Sequence, residues 1–275
     1  MTPSQFSAVL GDRGRYLAAE ETPGFHAPTV EHSFFFDRIG DGSVISSVKA
    51  MVLLVLGALL IVGFFAAAAR KAAVVPSKLQ FVGESLYGFV RNGVAIEILG
   101  KAGRKWAGFL ATLFVFILVM NLWELIPVAQ LPVTSHFAVP VFLAMLIWVI
   151  YNVVGIRKHG LFGYLKLQTF IPGIPAAMHL LLIPIEFLSN IILRPFTMAV
   201  RLFANLFAGH MLVGVAAAGS IYLFEQGGIS YATMVLPFAA SMGLVFFELL
   251  VCALQAYVFT LLAAIYLESS LADSH

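Results

Sequence analysis

The sequence predicts an all-α, polytopic membrane protein. Hydrophobic residues make up 61% of the 275-residue chain, charged residues make up only 11%, and the mean hydropathy is +0.97. These values are typical of a chain that is dissolved mainly in lipid. Long apolar tracts, each at least as long as the roughly 20 residues that a spanning helix needs, alternate with short polar segments. We therefore expect a single membrane domain over residues 49–275, preceded by an extracytoplasmic polar tail over residues 1–48.

The composition also excludes several classes of function. A net charge of only +2 gives no reason to expect a nucleic-acid partner. The single cysteine, Cys252, excludes an internal disulfide and any metal site built from several thiolates. The histidines show no ligand spacing, and neither an H-E-x-x-H nor a G-x-S-x-G pattern occurs. The sequence therefore predicts no metal, no cofactor and no enzyme chemistry within this chain.

The first apolar run predicts one amino-terminal spanning helix over residues 49–70. No signal peptide opens the chain, because the polar tail precedes this run. The run carries no charge between Lys49 and the basic pair Arg70 and Lys71. Such a pair is typical of the cytoplasmic end of a spanning helix.

Residues 77–99 predict an amphipathic helix that lies on the membrane surface. Ser77 and Gln80 have the spacing of a capping box and follow Pro76 directly. One face is apolar and the other polar, which is typical of an interfacial helix. The apolar face comprises Leu79, Val82, Leu86, Phe89, Val90 and Gly93, and the other face comprises Glu84, Gly88, Arg91, Asn92 and Ala95.

A helical hairpin is expected next, over residues 106–126 and 138–156. Its loop contains neither Lys nor Arg over residues 127–137, whereas seven basic residues lie from Arg70 through Lys105 and three from Arg157 through Lys166. Because basic loops stay in the cytoplasm, we expect the amino terminus outside and the carboxy terminus in the cytoplasm of a multi-pass plasma-membrane protein.

The carboxy-terminal third predicts two long membrane helices, over residues 175–223 and 229–268. At ~1.5 Å per residue each would be about twice as long as a ~30 Å hydrocarbon core. They must therefore tilt steeply, bend or break, and Pro184, Pro195 and Pro237 are candidate break points. These helices also carry polar side chains that a lipid-facing helix would lack: Glu186, Ser189, Asn190, Arg194, Thr197, Arg201, Asn205, His210, Glu248 and Gln255.

Arg201 is the strongest candidate site residue. A permanently charged guanidinium at membrane depth is kept only where a partner, a water-filled cavity or a function offsets its cost. At ~100° per residue, Arg194, Arg201, Asn205 and Ala208 share one helix face, and His210 points to nearly the opposite face. If the two long helices pack antiparallel, Gln255 lies near Arg201 and Glu248 lies near His210. Arg201 then has no carboxylate from its own chain, and another subunit would supply the counter-charge.

Three segments carry a resemblance to a known family. The run RPFTMAVRLFANLFAGH at residues 194–210, with LQAYVF at 254–259 and NLWELIP at 121–127, resembles subunit a of F-type ATP synthases, with an actinobacterial character in the RPF triplet. The resemblance covers essentially the whole chain. It implies a bacterial plasma-membrane stator subunit that contacts a c-subunit ring, b-type peripheral-stalk subunits and the remaining ATP synthase subunits.

The resemblance also implies roles for individual residues. Arg201 would face the essential carboxylate of the c-ring and deprotonate it, with Asn205 and Gln255 as polar neighbours. Because the guanidinium pKa is above about 12, Arg201 would also block a direct proton leak between two aqueous half-channels. Protons would enter from outside past Glu124, Glu186, His210 and Glu248. Ring rotation would then couple proton translocation to ATP synthesis.

Other readings of Arg201 and Arg194 stay open. Each could be a snorkelling anchor at a helix end, and for Arg194 this reading is as strong as a functional one. Asn205 and Gln255 could form interhelical hydrogen bonds, and His210 could be a buried histidine with satisfied hydrogen bonds. A secondary transporter would also bury Arg, Glu and His near the midplane, but it would show two comparable halves, which this chain lacks. A structural scaffold would leave the cost of Arg201 unexplained.

Overall fold

The computed structural model describes residues 42–70, 75–123, 138–169, 176–226 and 233–272. Every regular element in these ranges is helical, which confirms the predicted all-α class. Five helical stretches in this part of the chain are long and apolar enough to cross a membrane: Met51–Ala69, Lys78–Leu122, Ala138–Thr169, Leu181–Glu225 and Val235–Leu271. The prediction of a polytopic membrane protein is confirmed by these stretches. The polar tail over residues 1–48 lies almost entirely outside the described residues.

The first two helices follow the sequence pattern closely. Helix α1 spans Gly42–Ala69, so it begins before the predicted start at residue 49. Helix α2 spans Lys78–Val90 and begins at the predicted cap, where Ser77 Oγ accepts a hydrogen bond from the backbone N–H of Gln80 (3.3 Å). The same helical path continues through a π-helical turn, Arg91–Ile96, to Leu99.

The predicted apolar face of α2 is only partly covered by the protein. Val90 of this face is buried, as are Val94 and Leu99 in the turns that follow α2, whereas Leu79 and Val82 of the same face are exposed. An exposed apolar face is available to lipid, so the surface position of α2 remains a prediction.

The hairpin consists of α3, Gly103–Leu122, and α4, Ala138–Thr169. Its loop over residues 127–137 lies outside the described residues. Helix α4 extends past the predicted end at residue 156, but it breaks at Gly160, whose φ of 72° and ψ of 165° are not helical. This backbone region is accessible essentially only to glycine.

The first long tract is a continuous helical path with a π-helical turn inside it. Helix α5 spans Ala176–Leu188, the turn spans Ser189–Leu193, and helix α6 spans Arg194–Gln226. Pro184 lies inside α5, and Pro195 is the second residue of α6. The tract therefore extends a few residues beyond the predicted range 175–223.

The second long tract is a single helix, α7, over Val235–Leu271, which is displaced from the predicted 229–268. The expectation that Pro237 could break it is wrong. Pro237 lies in the first turn, where an N–H would have no intrahelical partner in any case.

Helices α3 and α7 lie at the centre of the packing. Helix α7 packs against α3, α4 and α6, and α6 also packs against α4. The buried core contains residues from all four helices, including Leu110 and Ile117 of α3, Ile147 of α4, Leu206 of α6 and Phe259 of α7. Burial of these side chains holds α6 against α7 and so positions the polar residues that both helices carry.

Candidate functional site

Two contacts fix the direction in which α6 and α7 pack. The guanidinium carbon of Arg194 lies 5.0 Å from the ring centroid of Tyr266. Fifteen residues later in α6, Gly209 packs against the Glu248 side chain, whose Cδ would lie 3.0 Å from a Cβ at that position. The residue number rises along α6 while it falls along α7. The helices are therefore antiparallel, and Glu248 lies beside the residue that precedes His210.

Arg201 lies on an exposed stripe of α6. Among the described residues its side chain makes no hydrogen bond and no ion pair. The stripe recurs at the three- and four-residue spacing of one helix face and comprises Thr197, Arg201, Ala204, Ala208 and Leu212. Small side chains on both sides of Arg201 let another helix approach the guanidinium closely. A charge in an apolar span needs a partner, and the described part of this chain supplies none.

Behind this stripe, α7 contributes buried polar side chains. Glu248 is 7% exposed and Gln255 is 6% exposed, and they are separated by seven residues, so they share a face of α7. Asn205 and His210 of α6 are half-buried. Helices α6 and α7 thus carry a carboxylate, an imidazole and two carboxamides, of which Glu248 and Gln255 are buried. Such side chains can exchange protons and can bind water inside the membrane, whereas lipid tails can do neither.

Glu186 belongs to a different cluster. The side chain of Asn190 donates to Glu186 Oε2 (3.2 Å) and to the backbone carbonyl of Gln168 (2.6 Å). Gln168 in turn donates to the hydroxyl of Tyr164 (2.8 Å), which lies 3.4 Å from Ser270 Oγ.

The cluster therefore lies at the end of α7 that is remote from Glu248. Ser270 and Glu248 are 22 residues apart in one unbroken helix, which corresponds to ~33 Å along its axis. The expectation that Glu186 lines one inlet together with His210 and Glu248 stays a prediction, and this separation does not favour it. The sequence did not reveal this, because it does not say which end of α7 the Glu186 cluster reaches through α4.

Glu124 lies outside the described residues, but the chain just before it is described. Asn121 is fully buried in α3, and its Nδ2 donates to the carbonyl of Cys252 (3.4 Å). Cys252 lies between Glu248 and Gln255 in α7. The end of α3 therefore reaches the level of these two polar residues.

Aromatic rings surround Arg194, and no sequence pattern pointed to them. Tyr266 lies under its guanidinium, and the Tyr151 ring packs against Tyr266 with ring centroids 5.7 Å apart. Asn190 was noted as a polar residue but not as a site residue. Its spacing of four residues from both Glu186 and Arg194 is a signal that could have identified it.

Comparisons with known proteins agree with the resemblance in the sequence. The family model for the ATP synthase A chain matches residues 50–268. A protein of a Nocardioides species, named ATP synthase subunit a, is 47% identical over 241 residues, which cover 87% of each chain. Proteins of the same name from Streptomyces lividans and Pseudarthrobacter chlorophenolicus are 43% and 42% identical. The alignment with the Streptomyces protein covers all of both chains, and the alignment with the Pseudarthrobacter protein covers 94% of this chain and 98% of that relative.

Proposed function

Because this chain belongs to the ATP synthase A chain family, we propose that it forms two aqueous half-channels and that Arg201 separates them at a contact with a c-subunit ring. The chain is then a non-catalytic, proton-translocating subunit of the ATP synthase membrane sector. Family membership argues against the alternative of a secondary transporter, because the relatives are named as subunits of a complex.

The observation that carries the proposal is the environment of Arg201. Its charge lies on an exposed stripe bordered by Ala204 and Ala208, and no carboxylate of the described chain pairs with it. A carboxylate on a rotating partner would meet this charge and ionise, because attraction in a medium of low dielectric constant favours the charged form. Away from Arg201 the same carboxylate must be protonated in order to face lipid.

The buried polar residues suggest where the half-channels lie. We assign His210, Glu248 and Glu124 to the inlet side, with Asn205 and Gln255 lining the region around Arg201. We assign Glu186 to the outlet side, since its cluster lies near the end of α7 and near the basic segment of Arg157, Lys158 and Lys166. In the topology expected from the basic loops, that end is cytoplasmic and the amino terminus is outside. The coupling ion is the proton, and the peripheral partners are b-type subunits.

Cysteine cross-linking in native membranes tests the proposed contact. After Cys252→Ala, Ala208→Cys on the exposed stripe should form a disulfide with a cysteine placed near the c-subunit carboxylate. Ala199→Cys is the matched control, because Ala199 lies in the same helix but is 3% exposed. Cross-linking at position 208 and not at 199 would support the contact. No cross-link at position 208, from a chain that is present in the membrane and whose thiol reacts with maleimide, would reject it.

A further inference from the structure

The π-helical turn between α5 and α6 leaves two backbone carbonyls without their regular helical donors. The N–H of Arg194 bonds to Ser189, five residues back. The carbonyl of Asn190 would accept from the N–H of Arg194 in an α-helix, or from residue 195 in a π-helix. The N–H of Arg194 is already bonded to the carbonyl of Ser189, and Pro195 has no N–H. The carbonyl of Ile191 would accept from residue 195 in an α-helix, and it lacks this regular donor because Pro195 has no N–H.

Two side chains of α4 supply these missing hydrogen bonds. Trp148 Nε1 donates to the carbonyl of Ile191 (2.9 Å), and the Tyr151 hydroxyl donates to the carbonyl of Asn190 (3.2 Å). Tyr151 is 1% exposed and Trp148 is half-buried. A buried carbonyl without a partner is costly in a membrane, because no water reaches it there. The two side chains therefore match the two carbonyls that the turn and Pro195 leave open.

The turn also sets the rotational phase of everything that follows it. A π-helical turn accommodates one more residue than the corresponding α-helical turn. That extra residue corresponds to a rotation of about 100° in the position of later side chains. Arg201 lies one to two turns beyond Pro195. Its place on the exposed stripe rather than in the α6–α7 interface therefore depends on whether the π turn persists.

We propose that Trp148 and Tyr151 are positioning residues that hold this turn and thereby keep Arg201 on the exposed stripe of α6. The functional consequence rests on the role proposed above for Arg201. The claim about the position of Arg201 does not rest on that role, because the orientation of α6 can be measured without any transport assay. Trp148 and Tyr151 touch no transported ion in this proposal and act only through the backbone of the turn.

The first test maps the phase of α6 by maleimide labelling of the full chain in membranes of cells that lack the c-subunit, so that no ring covers the exposed stripe. Single cysteines are placed at positions 202 to 208 in the Cys252→Ala background. With Trp148 and Tyr151 present, labelling should peak at Ala204→Cys and Ala208→Cys and be lowest at Leu202→Cys and Leu206→Cys. In Trp148→Phe or Tyr151→Phe, the ratio of labelling at position 204 to labelling at position 202 should fall about fivefold. This factor corresponds to the loss of one typical hydrogen bond.

Trp106→Phe and Tyr257→Phe are the matched controls, because neither side chain donates a hydrogen bond to a carbonyl of the turn. Both should keep the labelling maxima at positions 204 and 208. If Trp148→Phe and Tyr151→Phe also keep them, the positional claim is overturned whatever happens to transport. If neither variant accumulates in membranes while the controls do, the two bonds serve folding and the claim is likewise overturned. Altered labelling with unchanged proton pumping would support the positional claim and reject the role proposed for Arg201.

Deletion of Ile192 tests whether Trp148 and Tyr151 act through the π turn. This residue lies in the turn and is 53% exposed. Without it, Arg194 lies four residues after Ser189, so the turn can become α-helical while α6 keeps its phase. The carbonyl of Ile191 then receives the N–H of Phe196, and only the carbonyl of Asn190 still faces Pro195. Because α6 then keeps its phase without a π turn, neither Trp148→Phe nor Tyr151→Phe should alter labelling in the deletion background. Equal effects of Trp148→Phe with and without Ile192 would overturn the proposal.

Discussion

Gly209 of α6 packs directly against the carboxylate of Glu248 in α7. A Cβ atom at Gly209 would overlap Glu248 Oε1 and would lie 3.0 Å from Cδ. Only glycine leaves room for the carboxylate at this height of the helix pair. The contact holds a buried acid beside the backbone of His210, at the point where the proposed inlet reaches the α6–α7 interface.

Gly209→Ala should disrupt this point of contact. The added methyl group must displace the carboxylate at the end of the flexible Glu248 side chain, so the acid leaves its place beside the His210 backbone at a small cost in stability. We expect ATP-driven proton pumping in membrane vesicles to fall strongly. Gly243→Ala in α7 is the matched control, because a Cβ there meets nothing within 4 Å. The shorter side chain of Glu248→Asp should partly restore pumping in Gly209→Ala, and a failure of this rescue would argue against the steric explanation.

Arg201→Ala should abolish coupled proton transport while the chain still assembles. The side chain is exposed and makes no hydrogen bond within the described part of the protein, so its removal should cost little stability. Pumping is measured by the quenching of a pH-sensitive dye in vesicles, and assembly by purification of the complex. Arg104→Ala, which removes an exposed arginine of α3, should leave both unchanged. Retained pumping in Arg201→Ala would contradict the proposed gate.

The exchange of His210 and Glu248 should harm transport less than either single change to Ala. Glu248 lies at the Gly209 contact and His210 is the next residue of α6, so an exchanged pair keeps one acid and one imidazole close to that contact. Residues in contact typically show coupling energies of about 0.5–3 kcal/mol in a double-mutant cycle. Pumping rates of the two single variants, the double alanine variant and the exchanged variant give this coupling. Strictly additive defects would show that the two side chains act independently.

Gly160→Ala should destabilise the chain by about 1–3 kcal/mol, because alanine is strained at the φ of 72° and ψ of 165° that break α4. The measurement is the temperature at which half of the solubilised complex loses this chain. Gly108→Ala in α3 is the control, because that glycine is helical and a Cβ there meets nothing within 4 Å. Its replacement should be neutral or slightly stabilising. An equal loss of stability in both variants would exclude backbone strain as the cause.

The sequence by itself determined the class of the protein, the approximate helices and the residue that costs most to bury. These features depend on local properties: apolar length, the cap at Ser77, and the presence of Arg201 in a span that lipid would otherwise surround. Periodicity also predicted which residues share a face, since a helix has a fixed number of residues per turn. The π-helical turn at Ser189–Leu193 escaped this reasoning, because it changes the period locally and depends on donors from α4.

Only the tertiary structure decided which ends of the helices meet. Glu186 and Glu248 are both acids in membrane helices, but the hydrogen-bond cluster of Glu186 reaches Ser270 through α4, whereas Gly209 of α6 receives Glu248. The same packing buries Gln255 and leaves Arg201 exposed, although both are polar residues in apolar tracts. The physical reason is that the sequence of one helix specifies its faces, whereas the register between two helices depends on which side chains leave room for each other.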